Sequence, residues 1–208
     1  NMTLAPHAIY LRSGKKLGNA EVVDTMIKDG LWDAYNNYHM GVTAENVAIK
    51  FQVTRKEQDK FAMNSQEKAI NAQTKNKFTD EIVNLKIKTN NNEINFNKDE
   101  YPREGVDLET LSRLKPVFKK EGTVTAGNSS GLNDGAAAVT LMSDSEAEKK
   151  ELKKLVTIKS WASCGVDPTI MGTGPIPSSK KALEKAGWSI KDVDLFETNE
   201  AVAAQRIT

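Results

Sequence analysis

The residues best suited to chemistry gather near the middle of the chain. The run EGTVTAGNSSGLNDGAAAVTLM, at 121–142, places small, hydroxyl and amide side chains ahead of an apolar end. Gly127, Asn128, Ser129, Ser130 and Gly131 carry little bulk, so a second molecule could come close to the backbone there. Asn128, Ser129, Ser130 and Asn133 each donate or accept hydrogen bonds. A polar, open-sided loop feeding an apolar strand can form one wall of a ligand site. The same residues would also make an ordinary surface turn, so the stretch alone leaves both readings open. Elsewhere, Cys164 is the single thiol. His39, taken alone, is a packed or surface histidine rather than a catalyst. Asn199 could be a plain helix cap.

The chain around these residues has 208 positions, enough for one large domain or two small ones. With 38% hydrophobic and 27% charged residues it has the composition of a globular protein. Lys and Arg number 29 against 28 Asp and Glu, so no global field favours nucleic acid or a membrane surface. One cysteine excludes an intrachain disulfide and fits a reducing compartment, hence a cytoplasmic location. No apolar run approaches membrane-spanning length. The first residue is Asn1, with no charged-then-apolar leader after it, which suggests a removed start or an internal piece of a longer chain.

Several elements must position the central run. Residues 1–19 read as an arm broken by Pro6, Gly14 and Gly18. A helical turn is expected at 21–28 and irregular, aromatic-rich structure at 31–40; Thr43 should cap a helix over 44–51. Thr54 and Glu57 form a capping box that opens a helix over about 55–75, with Phe61, Ala62, Ser65, Ala69 and Ala72 on one face. Alternation predicts a hairpin from 81–89 and 93–97 around a turn at 90–92, then a short helix at 108–113. Buried strands are predicted at 136–142 and 193–197, and another strand at 155–162. A charged helix is predicted at 143–153, with Ser145 as its cap. Residues 165–177, with three glycines and three prolines, read as a structured loop before a helix at 178–186 that Gly187 stops. A last helix is predicted to start at Asn199.

Five stretches together resemble the thiolases of the acetyl-CoA acetyltransferase type: NMTLAPH at 1–7, HMGVTAENVA at 39–48, the run at 121–142, SWASCGVDPTIMGTGPIP at 160–177 and NEAVAAQ at 199–205. They stand in the family's order and near its spacing, across essentially the whole chain. The resemblance implies an α/β, thiolase-like fold: two similar α/β halves with a loop domain inserted in the first, incomplete at both ends. It divides the chain into a loop domain at 1–132, the end of the first half at 133–153 and the start of the second at 154–208. The loop domain would include a tetramerisation arm and a CoA-binding part.

The resemblance also implies a reaction. Thiolases join two acetyl-CoA into acetoacetyl-CoA and CoA, or split it, through an acyl-cysteine. That needs a thiolate, a base for the proton α to a thioester, and donors for two oxyanions. The family's nucleophilic cysteine, catalytic histidine and second cysteine match no residue of these 208, so the resemblance implies that the chain alone is inactive. Asn199 matches the asparagine that holds water in an oxyanion hole, where a helix start would add positive potential. Ser130 matches the serine that bonds the pantetheine of CoA, with Ala126, Ser129 and Ala201 along the same wall. His39, Met40 and Met171 match residues near the pantetheine and acyl group; Leu31 and Phe118 would pack against the carrier or serve as core. Arg103 matches an arginine at the adenine and phosphate end, where Thr110 keeps a hydroxyl that many relatives supply from serine. Cys164 falls in a structural stretch of the second half, so it is not expected to be the nucleophile. Val202 stands where the family usually has phenylalanine, which removes a wall of the acyl pocket.

The resemblance therefore implies an acyltransferase using no metal and no redox cofactor, with coenzyme A as carrier. Its partners would be acetyl-CoA and acetoacetyl-CoA and its assembly a homotetramer. Three alternatives stand beside it: a truncated, inactive CoA-binding fragment, a longer-chain 3-ketoacyl-CoA thiolase, and a non-condensing acyl-CoA binder.

Overall fold

The computed structural model describes residues 1–12, 14–89 and 92–208. In chain order the strands and α-helices are β1 (His7–Ala8), β2 (Val23–Asp24), β3 (Trp32–Asp33), β4 (Tyr38–His39), α1 (Met40–Lys50), α2 (Arg55–Thr74), β5 (Leu85–Lys88), β6 (Glu93–Phe96), α3 (Leu108–Ser112), α4 (Asp144–Lys149), α5 (Pro175–Ala186) and α6 (Ala203–Ile207). Among the described residues the strands pair as three antiparallel hairpins, β1–β2, β3–β4 and β5–β6. The chain divides into two compact units, Asn1–Val47 with Gly131–Asn199, and Ala48–Ser130 with Glu200–Thr208.

In the first unit, β3 and β4 are joined by a turn that Asp33 organises. Its carboxylate accepts from the Tyr35 amide at 2.9 Å and from Asn36 Nδ2 at 2.7 Å. The Asn36 bond, ahead of the two amide bonds, holds the Asp33 carboxyl below its ordinary range. Asn37 takes the left-handed conformation at φ 57°, which asparagine tolerates. The aromatic-rich stretch expected to be irregular is thus a short hairpin, because Asp33 and Asn37 supply the turn chemistry. The stretch predicted helical at 21–28 splits into β2 and a π-helical turn at Met26–Gly30.

Other expectations in this unit change for identifiable reasons. Helix α1 starts at Met40, so Thr43 lies inside it and donates back to the Met40 carbonyl at 2.6 Å instead of capping. Helix α4 is capped by Ser143, whose Oγ accepts from the Glu146 amide at 3.2 Å, not by Ser145. The proline-rich stretch is not one loop: Pro168–Thr173 winds as a 3-10 turn and α5 already begins at Pro175. Prolines fit there because the first turn of a helix leaves its N–H groups unbonded anyway. Gly187 ends α5 in the left-handed conformation, φ 68°, as expected.

The segments predicted as strands at 136–142, 155–162 and 193–197 join no ladder among the described residues. Nor are the first and last buried: Val139 is 82% exposed and Leu195 81%, while Leu155 in the middle segment is 88% exposed. Apolar β-branched composition favours an extended backbone, but a strand exists only where a partner accepts and donates its ladder bonds.

In the second unit α2 packs against α3 and α6. The Thr54 capping box is present: its Oγ1 accepts from the Glu57 amide, and Glu57 Oε2 accepts from the Thr54 amide at 2.8 Å. Helix α3 is capped by Asp107, which accepts from the Thr110 amide at 2.7 Å. The β5–β6 hairpin pairs Leu85 with Phe96 and Ile87 with Ile94 on one face. The turn expected at 90–92 falls largely outside the described residues. Ala48, Val53 and Ala204 form a small apolar core.

One feature of α2 departs from its apolar pattern. The residues of this helix buried most deeply include Gln58, 0% exposed, and Asp59, 2% exposed. Phe61, Ser65, Ala69 and Ala72 are only half-buried.

Candidate functional site

Within the second unit the central run folds back on itself and meets the segment after Glu200. Asn128 is the hinge of that arrangement. Its Oδ1 accepts from the Thr125 amide at 2.8 Å, and its Nδ2 donates to the Thr123 carbonyl at 3.0 Å. Ser129 Oγ donates to the Thr125 carbonyl at 2.7 Å. These bonds close a tight polar turn around the buried residues Val124 and Thr125.

Two backbone bonds carry the turn across to the second segment. The Ser130 amide donates to the Ala201 carbonyl and the Ala203 amide to the Asn128 carbonyl, each at 2.9 Å. Ser129 and Val202 form an antiparallel bridge between them. Ser129, Ser130 and Ala201, separated by some seventy residues in sequence, therefore stand side by side. Ser130 and Ala126 are exposed, Ser129 and Ala201 half-buried, so small side chains form the surface here while the Ser129 hydroxyl is spent on the Thr125 carbonyl.

Gly127 meets a close approach. A Cβ added there would lie 2.5 Å from Leu111 Cδ2 and 2.6 Å from Leu114 Cδ1. Only a residue without a side chain lets the turn sit this close to α3 and the residues after it.

The other expected residues of this unit are more dispersed. Arg103 is exposed, with its backbone amide bound to Gln66 Oε1 at 2.9 Å. Thr110 is exposed in the first turn of α3, and Phe118 is half-buried after it.

In the first unit, Leu31, His39 and Met40 come together at the β3–β4 hairpin. The Met40 amide donates to the Leu31 carbonyl at 2.7 Å, one step beyond the Trp32–His39 pair. His39 Nδ1 accepts from the Gly41 amide at 2.9 Å. Partial burial favours the neutral ring and lowers the His39 pKa from its ordinary 6.5. With Nδ1 accepting, the neutral imidazole carries its proton on Nε2, so the ring is not set up as a base. Asn46 Nδ2 donates to the Thr169 carbonyl at 3.0 Å, which ties α1 to the 3-10 turn carrying Met171. Met171 itself is 42% exposed. Leu31 also lines a cleft of about 590 Å³ with Met2, Leu4, Pro6 and Met26. Asp134 fixes the start of the chain beside that cleft, accepting from the Met2 amide at 2.7 Å and the Thr3 amide at 3.1 Å, and from the Thr3 hydroxyl. Those bonds, the Thr3 hydroxyl first, lower the Asp134 pKa from 3.8.

Asn199 is exposed and lies outside any helix or strand. Helix α6 begins at Ala203 with Val202 as its N-cap, so Asn199 is not at a helix start and no helix dipole acts on it. Local composition had suggested the earlier start, but the Ser129 bridge holds Val202 extended. Cys164 is half-buried, with no metal-ligating cluster of three or more His, Cys, Asp or Glu among the described residues. No helix among them is long and apolar enough to cross a membrane.

Sequence reasoning missed the polar support beneath the turn: Arg55, Gln58 and Asp59 on the inner face of α2. A signal was present. Three polar residues at positions i, i+3 and i+4 directly after a capping box share one helix face.

The sequence model for "Thiolase, N-terminal domain" matches residues 1–145, and that for "Thiolase, C-terminal domain" matches residues 152–208. An acetyl-CoA acetyltransferase of Paracoccus denitrificans is 59% identical over 207 residues, covering 100% of this chain and 53% of that protein. The one from Rhizobium meliloti is 58% identical, covering 99% and 52%. The cytosolic acetyl-CoA acetyltransferase of Rattus norvegicus is 52% identical, covering 98% and 52%. Among solved structures, the Bacillus anthracis acetyl-CoA acetyltransferase superposes with TM-score 0.91 at 45% identity, over 100% of this chain and 52% of that one. Human mitochondrial 3-ketoacyl-CoA thiolase also superposes with TM-score 0.91, at 41% identity, over 99% and 52%. The chain spans about half the length of the relatives it matches.

Proposed function

Because this chain belongs to the thiolase family and has its α/β fold, we propose that the protein carrying it is an acetyl-CoA acetyltransferase. It condenses two acetyl-CoA to acetoacetyl-CoA and CoA, or runs the reverse thiolysis. A cysteine thiolate outside these residues attacks the thioester carbonyl, and the CoA thiolate leaves. A base then takes the α-proton of a second acetyl-CoA, and the resulting carbanion attacks the acyl-cysteine carbonyl. Acetoacetyl-CoA forms and the cysteine thiolate is released. Without the cysteine and the base, the 208 residues are inactive by themselves.

The parts present bind and orient. Ser129, Ser130, Ala126 and Ala201 form the wall against the pantetheine of CoA. Its two amides on an aliphatic stem call for small side chains with a few hydroxyls. Arg103 and Thr110 serve the adenine and phosphate end, with Phe118 beside the carrier. Leu31, His39, Met40 and Met171 serve the acyl end. Asn199 holds a water that donates to an oxyanion, through its amide alone. Coenzyme A is the carrier and no metal or redox group takes part. Residues 1–132 act as the loop domain, 133–153 close the first thiolase half and 154–208 open the second. The protein works in the cytoplasm, the location named for the rat relative, as a homotetramer.

The observation that carries this reading is the pairing of the Ser129–Ser130 turn with Ala201 and Val202. It joins two sequence stretches whose resemblance is to one carrier site. The test is mass-spectrometric mapping of the full-length protein after brief exposure to acetyl-CoA. The acetyl group is expected on a cysteine outside these 208 residues, with Cys164 unlabelled. Acetyl-Cys164 would refute the assignment of roles.

A longer-chain 3-ketoacyl-CoA thiolase is a second reading, favoured by Val202. A valine leaves more room than phenylalanine beside the acyl group.

A further inference from the structure

Asp59 is a carboxylate placed where an apolar residue would pack at lower cost. It is 2% exposed and faces inward from α2. Its two oxygens are both engaged: Arg55 Nε donates to Oδ2 at 2.8 Å and Asn128 Nδ2 donates to Oδ1 at 3.0 Å. Arg55 Nη2 in turn donates to the carbonyls of Leu111 and Leu114, at 2.6 and 3.0 Å, at the end of α3. A buried ion pair rarely adds net stability, but it fixes the groups that satisfy it.

What it fixes here is the Asn128 amide. Because a carboxylate accepts only, Asn128 must turn its NH₂ toward Asp59 and its oxygen toward the Thr125 amide. That orientation closes the turn on which the Ser130–Ala201 and Asn128–Ala203 backbone bonds depend.

We propose that Asp59 is the positioning residue for the Ser129–Ser130 wall. It sets that wall's geometry, and so the affinity for the CoA-linked substrate, through Asn128 and without touching the substrate. This rests on the reading of the wall as the carrier site.

The test uses the full-length protein. In Asp59→Asn, the new amide can present its oxygen to Arg55 or to Asn128 but not to both. The amides of Ser130 and Ala203 should exchange hydrogen about tenfold faster or more. KM for acetyl-CoA should rise about tenfold while kcat stays within about twofold. The swap D59N/N128D re-forms the 59–128 hydrogen bond with donor and acceptor exchanged, at the expense of the bond to the Thr123 carbonyl. It should recover a large part of both effects. A merely structural carboxylate would lower thermal stability without the KM–kcat split and without recovery in the swap. Unchanged exchange at Ser130 and Ala203 would overturn the proposal, as would an unchanged KM where Ser130→Ala raises it. If Ser130→Ala also leaves KM unchanged while exchange in Asp59→Asn still rises, the failure lies in the carrier-site reading, and the link from Asp59 to substrate falls with it. Should Asp59→Asn not fold, Arg55→Gln loosens the same carboxylate from a more exposed position. The same shifts at smaller amplitude are then expected, and their absence would overturn the proposal.

Discussion

Gly127→Ala places a methyl group against two leucines beside the central turn. Its Cβ would sit 2.5 Å from Leu111 Cδ2 and 2.6 Å from Leu114 Cδ1. Carbon atoms rest at about 3.5–4.0 Å, so each contact is about 1 Å too short. Leu111 is 4% exposed and has little room to retreat. The backbone carbonyls of both leucines are held by Arg55, so the end of α3 cannot easily shift either. The half-buried Leu114 can yield at its Cδ1, but Leu111 cannot, so part of the relief must come from the turn, which carries Asn128 and Ser129 with it. Overpacking of this kind costs about 1–3 kcal/mol. Denaturant unfolding of the full-length protein, followed by far-UV circular dichroism, reads the loss as a lowered midpoint at unchanged slope. Leu111→Ala removes one of the opposing atoms, at about 2–5 kcal/mol by itself. Combined with Gly127→Ala, the total loss should be smaller than the sum by about 1 kcal/mol or more. A Gly127→Ala loss below about 0.5 kcal/mol, or strict additivity with Leu111→Ala, would refute the steric argument.

Three further outcomes are expected. Thr54→Ala removes the capping box of α2 and should cost about 1 kcal/mol, seen as faster amide exchange across the first turn of that helix. For His39, burial favours the neutral ring in the folded state, so the unfolded chain binds more protons below the ordinary pKa of 6.5. The stability it contributes is therefore complete above that value and declines as pH falls through it toward the lower folded value. His39→Asn can keep an acceptor for the Gly41 amide while abolishing the titration, so its melting temperature should fall less than that of the native protein between about pH 7.5 and 5.5. On the function proposed above, Val202→Phe should lower kcat/KM for longer 3-ketoacyl-CoA more than for acetoacetyl-CoA, by about tenfold; equal losses on both would remove Val202 as a determinant of chain length.

The parts of the fold legible in the sequence are those with local causes. Thr54 and Glu57 announced α2 because both halves of a capping box lie within four residues. The β5–β6 hairpin and α3 showed through alternation and through short helical composition, and the stop at Gly187 through the residue type that tolerates the left-handed conformation found there. The segments predicted as strands at 136–142, 155–162 and 193–197 were misjudged because an apolar run suggests a strand, whereas burial and pairing depend on distant chain. The helix start expected at Asn199 was misplaced because the observed start at Ala203 follows from the Ser129–Val202 bridge, a contact between residues 73 positions apart.

The candidate site was legible as stretches but not as geometry. The small and hydroxyl residues at 126–130 stood out from type and spacing alone. That Ser130 would meet Ala201 came into view only through backbone bonds that no residue type encodes. Asp59 was overlooked because an apolar face was expected of α2, while its innermost surface holds a carboxylate bonded to the Arg55 guanidinium and to the Asn128 amide of the turn.

A crystal structure of the full-length protein with CoA bound tests the central claim most directly. The account predicts the pantetheine lying along Ala126, Ser129 and Ser130, with a Ser130 polar atom within about 3.2 Å of a pantetheine amide. Pantetheine running along any other surface, with Ser130 facing solvent, would contradict it.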